Sequence, residues 1–332
     1  MSSRETGYVE RIADARGAEL LGVFGAVSIE GPKWCGKTWT ALNHASSVCH
    51  VADPAGGFQN RARAELAPAD GAFAHSGAGR IARVRMRTMS LAESGDSTGE
   101  ISLAGVLDGA DVRPVASGWD IEELAAVCAP GGWPGALGFS AAQGILQATD
   151  YLEAIARSDL VEVDRVRRDP HRMRAFLRSM ARNTATAANL ATIRRDVAAG
   201  SAETVSPNTA RDYLTLLRRM FVVEEIPAWA PSVRSVVRQR EAPKRILADP
   251  SLAVAALGLT PLALIEDLKT FGFVFESLCL RDLLVYGEAM GGHLSHYRDA
   301  SGLEADAVLT SNPADMERVA AAAGRFLAVH RF

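Results

Sequence analysis

Short apolar runs near the N-terminus give way to long amphipathic stretches through the middle of the chain. AVSIE (26–30) is a β-branched run bounded by glycine, the pattern of a buried parallel strand. TWTALNHAS (38–46) suits a helix and VCHVAD (48–53) reads as the next strand, so the chain opens in the order of an α/β sheet. Residues 54–79 are rich in Gly, Ala, Pro and Asp and carry no period. At 81–88, IARVRMRT alternates, with Ala82, Val84, Met86 and Thr88 on one face and Arg83, Arg85 and Arg87 on the other. That is a half-exposed strand with an arginine stripe, suited either to phosphates or to nearby carboxylates.

A helix is expected in WDIEELAAVCAPGGWPGALG (119–138), ending at Ala129-Pro130-Gly131-Gly132. From Asp150 to about Met220 the pattern is helical. SPNT (206–209) signals a helix start with Pro207 in the first turn, and Ala210, Tyr213, Leu214, Leu217 and Met220 then recur at helical spacing. With NLATIRRDVAAG (189–200) before it and the extended FVVEEIPAW (221–229) after it, the region reads as a winged helix-turn-helix. Its expected nucleic-acid contacts are Thr209, Arg211 and Arg218.

Composition narrows the class. The 332 residues are 48% hydrophobic and 23% charged, an ordinary globular balance with length for two or three domains. Cys35, Cys49, Cys128 and Cys279 lie far apart without a CxxC pair, which argues against a disulfide scaffold or zinc site and fits a reducing cytoplasm. The start, MSSRETGYVERIADARG, has no apolar signal core, and the run at 252–265 is interrupted by Gly258, Thr260 and Pro261. A cytoplasmic protein without a membrane partner is expected. Lone histidines (His44, His50, His293, His296) show no ligand spacing and read as structural. Net charge is −3, yet 18 basic side chains face 10 acidic ones between Arg157 and Arg245. Such a basic middle suits a polyanion, or pairs with the protein's own acidic surface.

The most specific chemistry lies in GPKWCGKT (31–38), which matches GxxxxGK[ST] through Gly31, Gly36, Lys37 and Thr38. Glycines let backbone N–H groups curl toward phosphate oxygens, and a helix starting at the lysine adds its positive dipole end. Lys37 supplies charge across the β- and γ-phosphates, and the Thr38 hydroxyl suits Mg²⁺. The expected nucleotide-binding set is Gly31, Pro32, Lys33, Trp34, Cys35, Gly36, Lys37 and Thr38, Trp34 and Cys35 occupying variable positions of the motif. Hydrolysis also needs an apolar strand ending in an acidic residue. No suitable one occurs between Asp53 and Gly79; VADP (51–54) comes nearest.

Taken together, YVERIAD (8–14), IEGPKWCGKT (29–38), HSGAGRIARVRMRTMSLAESGDSTGEISL (75–103), GGWP (131–134), ARNTATAANLATI (181–193) and SPNTARDYLTLLRRMFVVEEIPAW (206–229) form one series. KRILADPSLA (244–253), FGFVFESLCLRDLLVY (271–286) and HYRDASGLEADAVL (296–309) continue it. In this order the chain resembles the prokaryotic AAA-type ATPases fused to a C-terminal domain of unknown function, number 4143. The resemblance implies an α/β protein with a parallel P-loop NTPase-type sheet in a nucleotide-binding domain (1–105) and a helical lid (106–168). A winged-helix-like basic helical domain (169–245) and a small α/β restriction-endonuclease-like domain (246–332) would follow. It also implies ATP and Mg²⁺ as cofactors, a γ-phosphate contact from Arg80, and a nuclease-like carboxylate pair at Glu276 and Asp306 that would hold a metal.

Two departures stand out against that pattern. The acidic strand expected between residues 60 and 75 and the Glu-x-Lys strand expected after EADAVLT (304–310) are both missing, the chain running instead into SNPADMERVAAAAGRFLAVHRF. An ATP-binding AAA-like protein with weak or absent hydrolysis is therefore the first expectation. The alternative is a nucleic-acid-binding or protein-interaction module with a vestigial loop. A metal-dependent nuclease is disfavoured without the Glu-x-Lys strand. Expected partners are a nucleotide, a nucleic acid through the basic middle, and a protein partner or second copy.

Overall fold

The structure, a computed structural model, describes residues 7–48, 81–111, 118–159, 168–201, 203–229, 242–299 and 302–310. The chain divides into two compact units, Met1–Arg87 and Thr88–Phe332.

In the first unit, helix α1 (Ile12–Val23) precedes strand β1 (Ala26–Glu30), and a tight loop leads into helix α2 (Lys37–His44). Strand β2 (Ile81–Arg85) lies parallel to β1 with Ala26 opposite Ile81 and Glu30 opposite Arg85. The alternation read in the sequence decides which face of β2 is inside. Ala82 and Val84, followed by Met86 and Thr88, are buried, whereas Arg83 is exposed and pairs with Glu30 at 3.3 Å. Part of the arginine stripe is thus answered by an acidic residue of the neighbouring strand.

The second unit is mainly helical. In order come α3 (Leu91–Ser94), α4 (Leu103–Leu107), α5 (Ile121–Cys128), α6 (Ala141–Ala154), α7 (Pro170–Arg182), α8 (Leu190–Gly200) and α9 (Pro207–Arg219). Strands β3 (Val223–Ile226) and β4 (Lys244–Leu247) form an antiparallel pair. Helices α10 (Pro250–Leu257), α11 (Pro261–Glu266) and α12 (Leu268–Ala289) follow, then the antiparallel pair β5 (His293–Arg298) and β6 (Glu304–Thr310). Four of these helices start alike: Asp169, Ser206, Asp249 and Thr260 each cap a helix whose first residue is proline. The side-chain oxygen satisfies an orphan N–H and the proline pre-sets φ, so these starts are decided locally.

The apolar faces of the helices meet in one core. Trp133, Tyr151, Met173, Phe176, Tyr213, Leu217 and Leu252 lie in it, with Phe176 edge-on to Tyr213 at 5.5 Å between ring centres. A smaller cluster of Ala185, Ile226, Ile246, Leu280 and Leu294 ties the two antiparallel pairs to α12. On α9 the stripe Ala210, Tyr213, Leu214 and Leu217 is buried as its spacing predicts, and Leu216 joins it.

The expected extended parallel sheet is the main correction to the fold. Among the described residues the protein is α/β with twelve α-helices and three two-stranded sheets, only one of them parallel. Beyond the strand pairs, single bridges join Thr186 to Arg245 on β4 and Ala228 to His296 on β5, and the smaller cluster packs the C-terminal pairs on α12. The strand expected at 48–53, apart from Val48, lies outside the described residues. So do the 60–75 region and the tail after Thr310.

Candidate functional site

The loop between β1 and α2 is shaped by its glycines. Gly36 sits at φ 99°, in the left-handed region where glycine is at ease, and immediately caps α2. Its carbonyl accepts the N–H of Thr40 at 3.0 Å, which starts the helix. Gly31 is required for a different reason: a Cβ there would fall 2.0 Å from the Met86 carbonyl oxygen. Trp34 also takes a positive φ, 68°, with its side chain 47% exposed.

Lys37 folds back over this loop. Its Nζ donates to the carbonyls of Gly31 at 2.9 Å and Pro32 at 2.5 Å, with Cys35 Sγ at 4.0 Å. Burial pulls the lysine below its ordinary range, and the nearby cations Arg85 and Lys33 push the same way against the opposing Cys35. Among the described residues no carboxylate pairs with it, so the half-buried ammonium rests on two carbonyls and the Cys35 sulfur. Lys33 and Thr38 are exposed, Pro32 and Cys35 are buried, and burial raises the Cys35 thiol so that it stays protonated. The eight residues Gly31–Thr38 thus come together as one loop, while Arg80 lies outside the described residues.

Behind the loop stands a polar brace that sequence reading passed over. The Arg11 guanidinium donates from Nη1 to the Cys35 carbonyl at 2.8 Å and from Nη2 to the Arg87 carbonyl at 2.9 Å. Asp14 accepts from the Arg11 backbone N–H at 2.8 Å and from the Tyr8 hydroxyl at 2.7 Å. Tyr8 Oη is also 2.9 Å from Thr40 Oγ1 on α2, and His44 Nε2 lies 3.2 Å from Asp14. Burial pushes the Tyr8 phenol up, which keeps it a neutral donor. The signal was present as Tyr-x-x-Arg-x-x-Asp, three polar residues at spacing three, just before and inside a helix start.

A second polar cluster gathers in the other unit. Lys244 Nζ, at the start of β4, is hydrogen-bonded to Glu276 Oε1 on α12 and to Asp306 Oδ1 on β6, the latter at 2.8 Å. Burial raises the Glu276 carboxyl against the opposing pull of Lys244. Glu276 and Asp306 were expected together, but as metal ligands. An ammonium already lies between them, and among the described residues no group of three His, Cys, Asp or Glu side chains gathers. As the pair stands, the Lys244 ammonium occupies the position between the two carboxylates. Lys244 was missed, although it is one of only four lysines among 36 basic residues.

The expected nucleic-acid residues are spread along α9 with local partners. Thr209 Oγ1 lies 2.8 Å from the capping Ser206 hydroxyl, Arg211 donates to Asn208 at 3.0 Å, and Arg218 pairs with Glu225 at 3.2 Å. Elsewhere in the basic middle, Arg174 pairs with Glu153, Arg182 with Asp196 and Arg245 with Glu225. Arg182, Arg218 and Arg245 thus pair with carboxylates of the basic middle itself, and Arg174 with one outside it.

A family model described as a domain of unknown function (DUF8612) matches residues 121–263, less than half of the chain. That finding overturns the AAA-type resemblance: neither an AAA or P-loop family nor the domain numbered 4143 matches. The stretches behind the resemblance are caps, glycine turns and amphipathic helices, which local physics favours in unrelated chains. No helix among the described residues is long and apolar enough to cross a membrane. No curated protein matches the chain, and no solved structure does.

Proposed function

We propose that the loop Gly31–Thr38 binds the phosphate tail of a nucleoside triphosphate, with ATP and Mg²⁺ as the first ligand to test. The observation that carries this reading is Lys37, a half-buried ammonium resting on the carbonyls of its own loop. Burial has already weakened its hold on the proton, and a phosphate oxygen would return the charge partner it lacks among the described residues. The left-handed Gly36 and the start of α2 add backbone N–H groups on the same short stretch. Thr38, exposed at the first turn of α2, is the residue that would hold Mg²⁺, which on binding would neutralise the phosphates. Binding is the proposal; hydrolysis is expected to be weak or absent, because the sequence offers no acidic strand for the usual water-activating role.

Trp34 and Trp39, each 47% exposed on or beside the loop, provide the readout. Titration with MgATP should change their emission and saturate below about 1 mM. Lys37→Ala should abolish the change while leaving the circular dichroism spectrum intact. An unchanged titration curve in Lys37→Ala, or no response in the parent protein, defeats the proposal. Salt-sensitive DNA binding untouched by Lys37→Ala would instead favour the basic middle as the working surface.

A further inference from the structure

We infer that Arg11 is the positioning residue of the phosphate loop: by holding the Cys35 carbonyl, it sets the direction of the Gly36 N–H. This rests on the proposed phosphate-binding role of the loop. A trans peptide is planar, so the Cys35 carbonyl and the Gly36 N–H point in opposite directions. All described peptide bonds are trans. The carbonyl is fixed 2.8 Å from Nη1 of a guanidinium only 5% exposed, which aims the next N–H away from that buried side. Were this peptide to flip, an oxygen would replace a donor in the wall that faces an anion. Gly36 at φ 99° is the residue that makes such a flip easy, since glycine resists neither orientation.

Arg11 is itself immobilised. Its second nitrogen holds the Arg87 carbonyl at 2.9 Å, beyond the end of β2. Its backbone N–H is tied to Asp14 at 2.8 Å, and Asp14 is anchored by Tyr8 and His44. Tyr8 extends the same network to Thr40, one turn into α2. One planar fork therefore spans the loop and the neighbouring strand end, a task for which an ammonium has the charge but not the geometry. The positioning acts through the backbone, without contact between Arg11 and the ligand.

The test compares Arg11→Ala, Arg11→Lys and Tyr8→Phe in the full chain. Three quantities are read: MgATP binding by tryptophan emission, hydrogen exchange of peptides covering 31–38, and thermal stability. Arg11→Ala is expected to weaken MgATP binding about tenfold or more, the loss typical of a charge-assisted hydrogen bond. Exchange of the loop amides should quicken, and millimolar guanidinium ion should restore both toward the parent values. Arg11→Lys, which keeps the charge and the fold, should fall between the two. Tyr8→Phe removes bonds to Asp14 and Thr40 but leaves the fork in place. It should lower stability while holding binding within about twofold of the parent. Equal losses in Arg11→Ala and Tyr8→Phe, or no restoration by guanidinium, would reduce Arg11 to general support and overturn the inference. If the parent chain binds no MgATP, the nucleotide reading fails separately; the exchange and guanidinium measurements still decide whether Arg11 holds the loop.

Discussion

Two buried arginines, one in each unit, hold their surroundings in opposite ways. Arg11 binds neutral backbone oxygens, at Cys35 and Arg87, and fixes a loop whose own cation, Lys37, meets carbonyls and a thiol but no carboxylate among the described residues. Arg281 on α12, 2% exposed, is instead neutralised by carboxylates: Asp249 at 3.1 Å and Asp282 at 2.7 Å. Burial pulls its pKa down, and the two aspartates overcome that and hold it above its ordinary range. The aspartates are in turn saturated. Asp249 accepts from the Gly132 and Ser251 N–H groups at 2.9 Å, Asp282 accepts from the Leu91 N–H at 3.0 Å, and Ser251 Oγ accepts from the Trp133 indole at 2.9 Å. Four segments distant in sequence converge on this guanidinium with their polar groups matched. A saturated buried network specifies structure, whereas an unsaturated one near the surface is where a ligand has something to gain.

That contrast can be broken most severely at Arg281. Arg281→Met strands two buried carboxylates and should cost about 3–5 kcal/mol of unfolding free energy. Arg11→Met leaves the Cys35 and Arg87 carbonyls without their donors and should cost about 1–3 kcal/mol. Urea unfolding, with hydrogen exchange assigning the change to peptides of each unit, measures both; equal losses would erase the distinction. The glycines sharpen it next. A Cβ at Gly131, φ 69°, would meet Asp249 Oδ1 at 1.9 Å, and one at Gly31 would meet the Met86 carbonyl at 2.0 Å. Gly131→Ala should cost about 2–3 kcal/mol through backbone strain and a displaced carboxylate, with MgATP binding kept. Gly31→Ala should cost a similar or smaller amount but lose MgATP binding, as read by tryptophan emission. If Gly131→Ala also lost binding, the two networks would not be functionally separate.

The smallest effect concerns protonation. Lys37 in the folded loop holds its proton less tightly than its ordinary value of 10.5. Between the depressed folded value and 10.5, the unfolded chain binds more protons than the folded one, so stability rises with pH across that window. Below the window both states are protonated and the full penalty of the buried ammonium remains. Lys37→Met should flatten the rise, compared by denaturation at neutral and alkaline pH. A steeper rise in the variant would mean that the loop favours the charged lysine.

Much of the local structure was legible because short-range physics decides it. The cap signal in SPNT at Ser206, the strand at 26–30 and the alternation at 81–88 depend on neighbouring residues alone, and the described elements follow them. The loop motif was legible too, since a left-handed Gly36 and a helix beginning at Lys37 follow from residue type. Strand partnership was not, because a strand pattern does not say how many neighbours it will have. The wider resemblance misled for a related reason: an ordered series of local signals carries little about the long-range contacts that define a family.

What the sequence alone determined, then, is a part of the elements, among them β1, β2 and α9, and the presence of a glycine-framed lysine loop, since backbone freedom, caps and periodicity operate over a few residues. Tertiary structure alone decided which polar residues meet. Arg11 reaches Cys35 across 24 positions, and Lys244 reaches Glu276 and Asp306 across 32 and 62. Over such separations the chain can close in many ways, and burial of the surrounding apolar faces selects one of them.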